Sequence, residues 1–130
     1  MQREILIEKI KNHLLKLERM DYAFLFGSAV KAIRPESDID ILIGGKLTSS
    51  ERIDLAMDLE LLLRRKVDLV LSREASCEVI LEAFSKGVAI LVANKQKLKG
   101  DYFKNFYLYD DTRNLRELRR LKVKRMYASG

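Results

Sequence analysis

A single histidine, a single cysteine and a single proline set the first limits on this chain. With His13 alone, neither a histidine-built zinc site nor a histidine-based catalytic triad can be assembled. Cys77 has no Cys or His near it in sequence, so it reads as a packing or surface residue of a protein in a reducing compartment. No apolar run approaches the about twenty residues of a membrane span, and the first residues carry no signal-peptide pattern. The expectation is a cytoplasmic protein without a membrane partner. Internal repeats and low-complexity segments are also missing.

What is present suffices for one folded unit. At 130 residues and 48% hydrophobic content, the chain can bury a core without disulfides or a structural metal, and residues 1–130 read as a single domain. The formal charge is +6, and the excess is uneven. Arg113, Arg116, Arg119, Arg120, Lys122, Lys124 and Arg125 crowd one segment, with Glu117 as the main counterweight. Such a segment fits a nucleic acid, a triphosphate, an acidic protein partner or a solvated helix face, and the residues alone leave these open.

The organising stretch runs from Gly27 to Asp40, between the apolar runs 22–26 and 39–43. Both runs have strand length. Alternation places Asp38, Asp40 and Leu42 on one face of the second strand and Ile39, Ile41 and Ile43 on the other. Two aspartates on one face repel each other unless a cation or donor sits between them. Hard oxygen ligands of this kind suit Mg²⁺, which suits a phosphate-bearing substrate. A polar turn with a solvated strand edge is the competing reading of the D-x-D alone. Gly27-Ser28 upstream shifts the balance, because a glycine and a small hydroxyl after a buried strand let backbone N–H groups approach a phosphate. A phosphate cradle followed by paired carboxylates is what metal-dependent phosphoryl or nucleotidyl transfer needs. Lys31 and Arg34 lie within reach of such a phosphate, or are solvent-exposed loop charges.

Phe26-Gly27-Ser28, then nine residues, then Asp38-Ile39-Asp40 resembles the signature of the polymerase-β-type nucleotidyltransferase superfamily. The run P-E-S-D-I-D-I-L is similar to its smallest members, the minimal nucleotidyltransferases (MNT) that act as antitoxins beside HEPN-domain toxins. Lys31-Ala32 stands where those members commonly carry Arg-Gly. The resemblance implies a polymerase-β-like fold, Mg²⁺ and ATP as cofactor and substrate, and Gly27, Ser28 and Lys31 at the triphosphate. It further implies that Asp68, in the strand-like run V-D-L-V-L, completes a catalytic and metal-binding triad with Asp38 and Asp40. On the residues alone, an exposed edge-strand aspartate is the competing reading of Asp68.

The rest of the chain reads as scaffold. Residues 3–19 form an amphipathic helix with Ile7, Ile10, Leu14 and Leu17 on one stripe. A helix beginning at Ser28 would aim its N-terminal N–H groups at the site, and Pro35 closes that turn. Thr48 and Glu51 spell a capping box for a helix from about Ser49 to Arg65, and residues 74–86 form another helix stopped by Gly87. Val67–Leu71 and Val88–Val92 read as strands, the last continuously apolar and so a packed one. Lys95–Gly100 reads as a loop or frayed helix start. Residues 101–127 read as a C-terminal helical extension with an aromatic cluster at 102–108. Its stretch from Tyr109 through Leu115, Glu117 and Leu118 resembles the C-terminal helix of the minimal nucleotidyltransferases. The predicted class is α/β (α+β), a two-layer mixed sheet of about four strands with flanking helices, the first two strands antiparallel or splayed.

The leading functional expectation is magnesium-dependent transfer of AMP from ATP to a tyrosine of a partner HEPN toxin, as an antitoxin. The alternative is a protein that silences its partner by occlusion, its catalysis weak or lost. Modification of a small molecule needs a further substrate domain, for which the chain leaves little room. Oligomer formation and nucleic-acid binding stay open.

Overall fold

The computed structural model describes residues 2–34 and 36–111. Their order is α1 (Arg3–Leu14), β1 (Met20–Phe26), a 3₁₀ turn (Ser28–Val30), β2 (Ile39–Gly45), α2 (Ser49–Leu63), β3 (Val67–Leu71), α3 (Cys77–Lys86) and β4 (Val88–Val92). A further helix, α4, occupies residues 95–111. The sheet order is β3-β2-β1-β4, with β1 antiparallel to both β2 and β4 and β2 parallel to β3. The sheet is therefore mixed, as the short β1–β2 connection requires.

Side-chain alternation splits the sheet into two unequal faces. Ala23, Leu25, Ile39, Ile41, Ile43, Leu69 and Leu71 point to the main core, where Leu6, Ile10 and Leu14 of α1 and Leu55, Leu59 and Leu63 of α2 cover them. The opposite face carries Tyr22, Phe24 and Leu42, covered by Ile80 and Ala83 of α3 and flanked by Phe84 and Leu98. Helices thus lie on both faces, with the second covering smaller than the first.

The capping box forms as written, Glu51 N donating to the Thr48 hydroxyl and Thr48 N to the Glu51 carboxylate, each at 3.1 Å. Three expectations change. Helix α1 ends at Leu14 rather than 19, and its buried stripe is Leu6, Ile10 and Leu14, with Ile7 and Leu17 only partly covered. Helix α3 starts at Cys77, behind a Ser76 cap, because the Ser76 hydroxyl accepts from Val79 N. Strand β4 is an edge strand pairing with β1 alone, and of its five residues only Ile90 is buried. Its apolar character did not signal two covered faces. Of the two readings of residues 95–100, the helix start holds: they are the first turns of α4, capped by Asn94, whose side-chain oxygen accepts from Lys97 N at 3.0 Å. The sequence expectations for Pro35 and for residues 112–127 fall outside the described residues. No helix among the described residues is long and apolar enough to cross a membrane.

Helix α4 is fastened to the sheet through one buried ring. Tyr22 pairs across the ladder with Gly44, and its ring fills the space over that glycine. A Cβ on Gly44 would stand 2.2 Å from the ring. The Tyr22 hydroxyl then donates to the Asp101 carboxylate of α4 at 2.7 Å, and burial with that carboxylate drives the phenol pKa upward. Gly44→Ala should displace the ring and cost about 1–3 kcal/mol, as overpacking in a dense interior does. Chemical denaturation should show the loss, and hydrogen exchange should show α4 loosening with it.

Candidate active site

The site forms where three neighbouring strands bring their ends together. Phe26 of β1 lies opposite Asp40 of β2, and Asp40 lies opposite Asp68 of β3. Asp40 and Asp68, register partners in parallel strands, share the sheet face that Leu42 and Val70 continue. Asp38 precedes the first residue of β2 by one and is exposed, as is Asp68, whereas Asp40 is half-buried.

Gly27 shapes this corner. Its backbone sits at φ 78° and ψ −159°, a region essentially restricted to glycine. A Cβ there would stand 2.4 Å from Asp40 Oδ2. The Asp40 carboxylate thus occupies the space that any other residue at position 27 would need. Only a 3₁₀ turn follows, with Val30 N bonded to Gly27 O and Lys31 N to Ser28 O, each at 3.3 Å. Three residues cannot build the dipole of a helix, so the expected helix start is replaced by Gly27 geometry and the exposed Ser28 hydroxyl.

The connecting loop is closed on itself and tied to the scaffold. Arg34 N donates to the Ser37 hydroxyl at 2.9 Å and Ser37 N to Arg34 O at 3.0 Å. Arg65, just past α2, donates to the Arg34 carbonyl, and Ile39 N bonds Lys66 O at 2.9 Å. The Arg65 side chain and the Lys66 backbone carbonyl therefore tie the two ends of this loop to the segment that follows α2.

These parts enclose a cavity of about 950 Å³. Gly27, Ser28, Lys31, Asp38 and Asp40 line it, together with Arg34. Asp68 is not on its lining, but its charge reaches Asp40. Burial first, then Asp68, Asp38 and Glu82, raise the Asp40 carboxyl above its ordinary value. Glu82 and Lys86, one turn apart on α3, complete the opposite wall. Sequence reasoning missed both; their only signal was an i, i+4 charge pair near a helix end. They are brought in by Gly87, which lets the chain turn closely past β1, since a Cβ there would stand 2.5 Å from Leu25 O.

The oxygen-only donors Asp38, Asp40 and Asp68 suit a hard cation. Among the described residues, no three His, Cys, Asp or Glu side chains already stand in ligand geometry. Lys31, Arg34 and Lys86 make no ion pair among the described residues. Carboxylates and unpaired cations thus face one cavity.

Comparison with solved structures returns the same architecture. The chain is similar to a chain of a toxin–antitoxin complex with AMP-PNP, at 26% identity and TM-score 0.77, covering 90% of this chain and 97% of that one. It is similar to one of the MntA–HepT toxin–antitoxin, at 24% identity and TM-score 0.74, covering 93% and 98%. The fold also matches a chain of the tri-AMPylated Shewanella oneidensis HEPN toxin in complex with MNT antitoxin, at 23% identity and TM-score 0.69, covering 90% and 98%. No curated protein sequence matches. The model of the polymerase β nucleotidyltransferase family spans residues 8–96, which hold β1 to β4 and every residue of the cavity, and the chain belongs to that family.

Proposed function

We propose that this chain is a magnesium-dependent nucleotidyltransferase that moves AMP from ATP to a hydroxyl of a partner HEPN toxin, a tyrosine, and silences it as an antitoxin. The observation that carries this reading is the Asp40 carboxylate, seated against Gly27, flanked by Asp38 and Asp68, and raised in pKa by burial and by their charge. Such a group is stabilised by a cation. Family membership supports the reaction class, and a toxin–antitoxin neighbour with AMP-PNP supports the nucleotide and the kind of partner.

Asp38, Asp40 and Asp68 would hold Mg²⁺, which when bound neutralises the triphosphate and the leaving pyrophosphate. Gly27 gives close backbone access to the triphosphate, and Ser28 donates its hydroxyl. Lys31 and Arg34 supply positive charge from the loop, so Lys31 takes the place of the arginine common in the smallest relatives. Asp68, more exposed than Asp40, accepts the proton of the attacking hydroxyl. The hydroxyl oxygen bonds the α-phosphorus, the bond to the bridging oxygen of pyrophosphate breaks, and pyrophosphate leaves with the electron pair. The protein positions and neutralises, and no histidine is required.

A second reading has one observation in its favour: the three carboxylates are not already gathered in ligand geometry. On that reading the chain binds its partner and silences it by occlusion alone. Incubation with ATP, Mg²⁺ and a HEPN-domain partner, followed by intact mass measurement, separates the two. Added AMP on the partner supports transfer. Tight binding without added mass supports occlusion.

Asp40→Asn should lower transfer by about a hundredfold or more, the scale of losing an essential charge-stabilising group. Its effect on stability has the opposite sign. A carboxyl whose folded pKa is raised binds its proton more tightly in the folded state, so stability falls as pH rises through that window. Without metal, the variant should melt above the parent at neutral pH. The difference should close as pH falls toward the ordinary carboxylate range, which a pH series of thermal melts would show.

Asp68→Asn should retain ATP binding while kcat falls far more than KM rises, as expected for a group acting in the transition state. Unchanged turnover with radiolabelled ATP would return Asp68 to a plain edge-strand residue.

A further inference from the structure

Helix α4 has two faces. Leu98, Asp101, Asn105 and Tyr109 are partly buried toward the body of the protein. The other face carries Lys99, Tyr102, Phe103, Phe106, Tyr107 and Asp110, spaced 3, 1, 3, 1 and 3 apart. At 100° per residue these six fall within an arc of about 140°, the width of a packing face. The four rings remain exposed, Tyr102 at 39%, Phe103 at 54%, Phe106 at 47% and Tyr107 at 63%. Tyr102 and Phe106 stack at 6.3 Å between centroids, and Tyr102 also meets Phe84 of the smaller core cluster at 6.2 Å. The stripe thus extends that core outward, and it shares no residue with the catalytic cavity.

The order of residues in the stripe specifies its occupant. Turned about a point between Lys104 and Asn105, Phe103 falls on Phe106, Tyr102 on Tyr107 and Lys99 on Asp110. The pattern is symmetric in its rings and opposite in its end charges. Two antiparallel copies related by a two-fold axis would place Phe against Phe and Tyr against Tyr, with a Lys–Asp pair at each end. A two-fold interface has this self-complementarity, residue i meeting j and j meeting i. Neither Lys99 nor Asp110 has an ion-pair partner among the described residues.

We propose that α4 pairs with α4 of a second copy of this chain, antiparallel, through the stripe from Lys99 to Asp110. The aromatic cluster noted in the sequence at 102–108 then serves self-association. Aromatic side chains bury about 150–250 Å² each, so four half-exposed rings offer about 400 Å² per chain. That is about half of a standard interface's share, the size class of weak and transient encounters, so association is sought from the micromolar range upward.

Sedimentation of the full chain across that range tests the pairing. The parent should pass from monomer to dimer with rising concentration. Lys99→Asp places like charges at both ends of its own dimer, and Asp110→Lys does the same with the opposite sign. Each should associate at least tenfold more weakly while its circular dichroism stays unchanged. Mixed in equal amounts, the two variants should recover the dimer as a heterodimer. The aspartate introduced in one then meets the lysine introduced in the other, and the unaltered Asp110 and Lys99 pair at the opposite end. Phe106→Glu should leave only monomer. A parent that stays monomeric, single variants that dimerise like the parent, or a mixture that fails to pair would each overturn the proposal. So would a parent that remains monomeric and binds a HEPN-domain protein through this stripe.

Discussion

The contact between the Gly27 backbone and the Asp40 carboxylate is the constraint from which the rest of the site follows. Strands β1 and β2 are hydrogen-bonded neighbours running in opposite directions, so the loop between them must leave and return at one end of the sheet. Gly27 makes that departure possible through its positive φ, and its missing Cβ leaves the space that Asp40 fills. With Asp40 fixed there, the parallel register of β3 sets Asp68 beside it. The result is negative charge built into the end of a sheet, where the hydrophobic core on the opposite face prevents the strands from sliding to relieve it. Together with burial, the repulsion appears as the raised pKa of Asp40, and a cation is the simplest species that removes it.

Much of this was legible because it is local or periodic. The capping box at Thr48 and Glu51, the bounds of β3 and the alternation that places Asp40 on one face and Ile41 on the other all follow from neighbours in sequence. The parts that were not legible depend on distant residues. Tyr22 finds its place because Gly44 lacks a side chain opposite it and Asp101 supplies an acceptor, and no spacing rule joins these three positions. Glu82 and Lys86 reach the cavity because the chain turns tightly at Gly87 against β1. Strand β4 was misread for a related reason: a continuous apolar run records that a strand is apolar, and its place at the sheet edge is decided by which strands pair. The short helical turn expected after Ser28 does form, but only as the three 3₁₀ residues Ser28–Val30, too few to aim a helix dipole at the site.

Helix α4 shows how one segment can satisfy two patterns at once. Its inner face contributes Asp101 to the Tyr22 hydroxyl and Leu98 to the smaller core cluster, while Asn105 turns its side-chain amide back to the Asp101 carbonyl at 2.7 Å. Its outer face concentrates rings that the monomer leaves in water. Exposed apolar side chains scattered singly over a surface are ordinary, whereas rings gathered on one helical face form a contiguous patch that marks an interaction surface. Lysine at one end of the face and aspartate at the other also set a direction. A parallel partner helix would bring like charges together, and an antiparallel one brings opposite charges together.

The distribution of charge in the cavity bears on what it admits. Asp38 and Asp40 stand on the sheet side, Lys31 and Arg34 on the loop, and Lys86 on the last turn of α3. A free anion meets the cations but is repelled by the carboxylates. A free cation meets the carboxylates but is repelled by the lysines and the arginine. A triphosphate carrying a divalent ion satisfies both sets together, because its phosphates and its metal present opposite charges a few ångströms apart. On the proposed function, selection arises from pairing the two signs within one cavity, with no side chain dedicated to rejecting the wrong species.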